Sequence, residues 1–397
     1  MEQTMKEIRT KNPLGYQPIG RLLMKFAIPS VISMLVNAVY NIVDQIFIGQ
    51  GVGYLGNAAT TVAFPIVTII LAVGTMLGAG GSAYAAIKLG EKKEEEAEFL
   101  FIPLPEGIDP VYPSLVFNMR LPRVLMAFLT GAGLAVSGTV MQSVLRNPLA
   151  SPFGLGVSAG AGLGAALVIV AGGSSGLLGA FLLPTVSLAF ALATVVLVVG
   201  FATRLDRSLS NTTIVLTGMV VSLFLNAIMN LLSTLSPLYA QQISLWTLGS
   251  FSSKEWSQVD VLAPVTLLCT LFFLRFAREM DVMTFGEEQA QAMGVSLRRM
   301  KWVLICAIAV LTGTATAFVG IIGFVDLIAP HVVRRFFGAA HRRVIPAAAL
   351  FGGAFMVLCD LAARTLTPPR EIPIGSITAL IGAPFFIYIY FSGRRRR

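Results

Sequence analysis

The residues able to do chemistry in this chain are few and scattered. His331 and His341 sit among arginines with no cysteine or carboxylate at ligand spacing, so neither is expected to bind a metal. Cys269, Cys306 and Cys359 lie singly inside apolar stretches, which supports neither a disulfide framework nor a thiolate metal site. The run GAGLGAA at 160 to 166 mimics a dinucleotide loop, but it follows no soluble strand. Gly156, Gly160 and Gly164, spaced by four, read better as a small-residue seam between close-packed helices. No GxxxxGK(S/T) loop occurs, so no residue run can cradle ATP phosphates in that way. What remains is a set of polar groups in apolar surroundings. Asp44, Asp326 and the stripe Ser222, Asn226, Asn230 stand where a polar side chain needs a partner helix or water.

The elements that must hold these groups follow from composition. Of 397 residues, 55% are hydrophobic and 12% charged, more apolar surface than a soluble fold of this size can bury. Apolar windows fall near 22 to 49, 58 to 87, 124 to 143, 153 to 171, 183 to 202, 212 to 235, 259 to 277, 301 to 319, 321 to 335, 345 to 365 and 374 to 392. Since a bilayer core of about 30 Å takes roughly 20 residues of helix, they predict an all-α polytopic membrane protein with about eleven transmembrane helices. The segments lack the apolar/polar alternation of a membrane barrel. No cleavable signal peptide is expected, because the first apolar stretch is long and lacks a small-residue cleavage site.

The net charge of +9 sits in the breaks between windows rather than along one soluble helix, which argues against nucleic acid. From Arg123 onward the basic breaks alternate with neutral ones, and the positive-inside rule puts the C-terminus in the cytoplasm. Arg120 and Arg123 then begin outside, against that rule. The charged run KLGEKKEEEAE and the proline-rich stretch after it mark a domain junction near residues 98 and 99.

Five stretches beyond the junction carry a resemblance: RLPRVLMAFLTGAGLAVSGTVMQSVLRNPLASPFGLGVSAGAGLG at 120 to 164, LWTLGSF at 245 to 251, GEEQAQAMGVSLRRMKW at 286 to 302, GFVDLIAPHVVRRFFGAAHRRVIPAAALFGG at 323 to 353, and EIPIGSITALIGAPFFIYIY at 371 to 390. In order and spacing they resemble the FecCD family, the permease subunits of type II ABC importers, over residues 99–397, with nine helices and the family's first helix missing. Asp326 departs from the pattern, where a small residue is expected. The resemblance implies a permease in the bacterial cytoplasmic membrane that pairs with a second permease subunit and two ATPase subunits, which bind ATP and Mg. Its cargo would be an iron-siderophore, haem or cobalamin-type chelate handed over by an extracytoplasmic substrate-binding protein. On this resemblance it would be a transport subunit and not an enzyme, with no cofactor of its own.

The same resemblance implies roles residue by residue. Arg120, Arg123 and Arg364 match arginines that dock the binding protein, which accounts for their side of the membrane, although Arg364 is also spaced to pair with Asp360 at i, i+4. Gly286, Glu287, Glu288, Ala290, Gly294, Val295 and Arg298 match the coupling helix that meets the ATPase. Asn147 and Leu149 resemble the cytoplasmic gate. Ser222, Asn226 and Asn230 share a helix face that either lines the pathway or hydrogen-bonds a neighbouring helix.

Residues 1–98 are similar instead to the first two helices of a MATE-family multidrug antiporter, through NPLGYQPIGRLLMKFAIPSVISMLVNAVYNIVDQIFIGQGVGYLGNAATTVAFP. A pathway cannot be assembled from one hairpin. A two-helix hairpin would also return the chain to the cytoplasm, whereas Arg120 is expected outside. Two alternatives therefore stand beside the permease: a cation-coupled antiporter fragment and a non-functional chimeric fusion.

Overall fold

A computed structural model of the chain describes residues 115–172, 176–206, 209–367 and 370–394. The hairpin of residues 1–98, Asp44 and the junction lie outside the described residues. Among those described the fold is all-α, with twelve α-helices and no strand. After a π turn at Leu115–Arg120 come α1 (Leu121–Val144), α2 (Val157–Val170), α3 (Gly176–Leu205), α4 (Asn211–Leu235), α5 (Pro237–Thr247) and α6 (Trp256–Arg275). Two short helices follow, α7 (Ala277–Met283) and α8 (Glu287–Ala292), then α9 (Leu297–Val319), α10 (Val325–Phe337), α11 (His341–Thr365) and α12 (Ile374–Arg394).

Each of the nine apolar windows beyond the junction holds a helix, but the helices differ in reach. Among the described residues six segments are long and apolar enough to cross a bilayer. Helix α10 is not: its 13 residues rise about 20 Å, short of the roughly 30 Å hydrocarbon core. The window at 321 to 335 reads as one helix from hydropathy, whereas residues 320–324 are non-helical. Gly320 and Phe324 both take positive φ, 82° and 72°, and stop any helix from entering the segment from α9.

Helix α1 is the hub. It packs against α6, α9, α10 and α11, and 78% of its span is buried. Pro122 opens it at a position where a missing N–H is harmless. The closest approach is to α11, where a side chain on Gly131 would collide with the Gly352 carbonyl oxygen and one on Gly352 would meet Ala135. Two glycines facing each other let the backbones touch, the small-residue packing that replaces the hydrophobic effect between membrane helices. The seam of Gly160 and Gly164 plays the same part between α2 and α3, against Phe190, Thr194 and Ser187. Helix α4 is the opposite case: only 11% of its span is buried, and Leu216, Val220, Leu223 and Phe224 stand exposed.

Replacing Gly131 with Leu should therefore force α1 and α11 apart and cost on the order of 1–3 kcal/mol, the usual range for overpacking. Thermal unfolding of the purified protein, followed by loss of the monodisperse gel-filtration peak, measures it.

Candidate functional site

Helix α1 is 24 residues long, so its two ends lie about 36 Å apart. Each end carries a charged cluster.

At the N-terminal end Arg123 projects from the first turn of α1 and uses its whole guanidinium fork. Its Nε and Nη2 donate to Asp360 Oδ1 at 3.1 and 2.8 Å, and Nη1 and Nη2 donate to Glu371 Oε1 and Oε2 at 2.7 and 3.0 Å. Asp360, buried on α11, also pairs with Arg364 one turn on, Nε to Oδ2 at 3.2 Å. Glu371 additionally accepts the Ser252 hydroxyl at 2.6 Å. These bonds tie α1 and α11 to the loop before α12 and the loop after α5. They line an open cleft of about 250 Å³ together with Ser250 and Phe251. Beside it Lys254 Nζ donates to the Phe318 carbonyl at 2.6 Å. Arg123 and Arg364 thus share one cluster, while Arg120 is exposed and makes no ion pair among the described residues. The hydrogen bond from Arg123 holds the Glu371 carboxyl below its ordinary value, with the Ser252 hydroxyl and the charge of Arg364 adding to it.

At the C-terminal end Arg146 follows α1 with φ of 46°. Asn147 Oδ1 accepts the Leu149 backbone N–H at 2.9 Å, an Asx turn that leaves both side chains exposed. The turn ends on Ser151, whose hydroxyl hydrogen-bonds the buried Asp326 carboxylate. That contact supplies the partner the out-of-pattern acid requires. Asn211, opening α4, donates Nδ2 to the Leu145 carbonyl at 2.9 Å.

The segment from 286 to 295 forms the short helix and turn that its residues predict. Gly286, at φ 135°, precedes α8 and Gly294, at φ 86°, follows it, both in backbone regions that favour glycine. Val295 closes the turn by donating its N–H to the Ala290 carbonyl at 2.9 Å. Ala290 is buried with Met283 and Leu297, whereas Glu288 and Arg298 are exposed. Glu287 reaches inward: its Oε1 lies 2.9 Å from Lys301 Nζ and 3.6 Å from Arg146 Nη2. Lys301 is 1% exposed and donates also to the Leu209 carbonyl at 2.8 Å.

On α4, Ile214, Gly218 and Ser222 face the start of α2, and the Ser222 hydroxyl donates to the Gly218 carbonyl at 2.7 Å. Asn226 is half-buried and Asn230 exposed, so the stripe leaves the protein as it ascends.

Sequence reasoning missed three participants. Glu371 opens a matched stretch and Ser252 follows another, neither with any chemical signature of its own. His341 sits among arginines with no carboxylate near it in sequence, yet it is 1% exposed, its Nδ1 2.5 Å from Asp281 Oδ1 and its Nε2 on the Ser143 hydroxyl. The 60 residues separating His341 from Asp281 hide that pair from any local spacing rule.

Comparisons with known proteins agree with this architecture. The FecCD transport family profile matches residues 89–392, beginning ahead of the expected boundary at 99. A short second match, to MatE, covers residues 29–102 and overlaps it. The uncharacterized ABC transporter permease protein YvrB of Bacillus subtilis is 42% identical over 287 residues, 72% of this chain and 81% of that protein. The Fe(3+)-citrate import system permease protein YfmE of the same organism is 35% identical, covering 73% and 86% respectively. A solved metal-chelate type ABC transporter in an inward-facing conformation superposes with a TM-score of 0.66 at 33% identity, over 80% of this chain and 99% of that one.

The Arg123 cluster makes a prediction about stability. Arg123→Ala leaves the buried Asp360 with Arg364 alone and should cost on the order of 3 kcal/mol. Glu371→Gln should destabilise at neutral pH and make no difference in acid. Because the folded value of Glu371 lies below its ordinary 4.5, its contribution is complete above that pH and is lost as pH falls through the lower folded value. Thermal melts between neutral pH and pH 3 should therefore converge for the wild type and Glu371→Gln at the acid end.

Proposed function

The chain belongs to the FecCD transport family and is an ABC transporter permease, and from that premise we propose that it imports an iron-siderophore, haem or cobalamin-type chelate across the cytoplasmic membrane. The observation that carries the reading is the placement of two charged clusters at opposite ends of one buried helix, one beside an open cleft and the other against a short connector helix.

In this reading the Arg123 end faces the extracytoplasmic binding protein and the Arg146 end, with the C-terminus, faces the cytoplasm. Arg120 is the exposed cation for the binding protein's carboxylates. Arg123 and Arg364, paired with Asp360 and Glu371, frame the same rim. Exposed pairs of this kind act on orientation and on-rate more than on affinity. Helix α8 with Glu288, Gly294 and Arg298 meets a separate ATPase subunit, which supplies ATP and Mg. Asn147 and Leu149 form the inner gate. The apolar flank of α4 faces lipid or a second permease copy, with Ser222, Asn226 and Asn230 toward the pathway.

The short MatE match favours no transport route of its own, since it covers residues 29–102 against 89–392 for the permease family. Uptake separates the readings. In inside-facing vesicles carrying the permease, an ATPase subunit and a binding protein, accumulation of radiolabelled ferric siderophore, haemin or cobalamin should require ATP and vanish when the ATPase is left out. Uptake or drug efflux that follows an ion gradient without ATP overturns the proposal. Arg120→Glu should slow association with the binding protein by about tenfold at low salt, an effect that fades as salt is raised.

A further inference from the structure

The connector between α6 and α9 grips the end of α1 at two points of different character. At the first, Asp281 on α7 accepts both the backbone N–H and the ring Nδ1 of His341, at 2.9 and 2.5 Å, and His341 passes the contact to Ser143 in the last turn of α1. Here His341 is 1% exposed, while the Asp281 side chain is 37% exposed. At the second, Glu287 on α8 holds the buried Lys301 at 2.9 Å and reaches Arg146 at 3.6 Å. Here the two arms differ. The Lys301 side chain is 2% exposed and depends on Glu287 and the Leu209 carbonyl, so detaching it would strand a buried cation. The Arg146 side chain is 40% exposed and can exchange Glu287 for water at little cost.

We propose that Glu287 is a positioning residue that passes movement of α8 to the Asn147–Leu149 turn, with Lys301 as its fixed anchor, Arg146 as its separable arm and the Asp281–His341–Ser143 contact as the pivot. This rests on the reading of α8 as the ATPase-facing helix and of the turn as the inner gate. Arg146 immediately precedes that turn and its φ of 46° confines its backbone to a narrow region, so gaining or losing the Glu287 contact bears directly on the placement of Asn147. Leu209 and Asn211 bring the start of α4 into the same group, through Lys301 and the Leu145 carbonyl.

The test uses the full chain in lipid nanodiscs, with its three cysteines replaced by alanine and spin labels at Leu149→Cys and Gln291→Cys, both exposed positions. Arg146→Gln, which removes the charge alone, should broaden the distance distribution between the labels by about twofold, and Arg146→Lys should restore it. Arg275→Gln, whose exposed pair with Glu279 at 4.0 Å lies on the same connector, should leave it unchanged. With an ATPase subunit assembled, Arg146→Gln should raise the ATP hydrolysed per substrate transported by about threefold or more while thermal stability stays the same. An unchanged distribution in Arg146→Gln, or an unchanged ratio, overturns the linkage. Cross-linking of Gln291→Cys to the ATPase is scored separately: its failure sinks the reading of α8, whereas its success with unchanged distances sinks only the Glu287 link.

Discussion

Backbone contact between α1 and α11 at Gly131 and Gly352 is the constraint on which the described bundle depends. Lipid tails are as apolar as leucine, so burying side chains gives membrane helices no reason to associate, and the attraction comes from close packing. Where the two glycines meet, the helices approach near enough for Arg123 of one to reach Asp360 of the other, and for Ser143 to reach His341 at the far end. A wider spacing would leave Asp360 buried with only its own helix's Arg364. Packing at the centre thus sets the electrostatics at both ends.

Those electrostatics obey different rules on the two faces of α1. The Arg123 cluster satisfies a guanidinium with two carboxylates in fork geometry, and such arrangements specify one arrangement of elements more than they add net stability. The Arg146 cluster is graded, one cation enclosed and one open on a single carboxylate. A carboxylate shared in this way is rigid toward one helix and compliant toward the loop.

The helices were legible because lipid imposes a length and a composition on anything that crosses it, and windows such as 212 to 235 and 345 to 365 declare both. Residues 320–324 were legible only in part: the gap between the windows at 301 to 319 and 321 to 335 marks a turn at Gly320, whereas Ile321, Ile322 and Phe324 read as helix by hydropathy and the backbone extends the break to Phe324. Helices α5 and α7 were missed for the converse reason: they are short, and the polar residues of α5 give no apolar window. In the candidate site, the pairing of Arg364 with Asp360 was visible as an i, i+4 spacing. The partners of Arg123 lie 237 and 248 residues away, and Ser151 meets Asp326 across 175, distances over which no periodicity speaks. Family resemblance supplied the positions, and the fold supplied the company each keeps.

The scant burial of α4 has a mechanical consequence. Its 25 residues extend about 37 Å, several ångströms more than the hydrocarbon thickness, and a helix in that position relieves the mismatch by tilting. Helix α1, enclosed by four neighbours, has no such freedom. Where α4 meets lipid, bilayer thickness therefore bears directly on its inclination, whereas the neighbours of α1 rather than the lipid set that of the central helix.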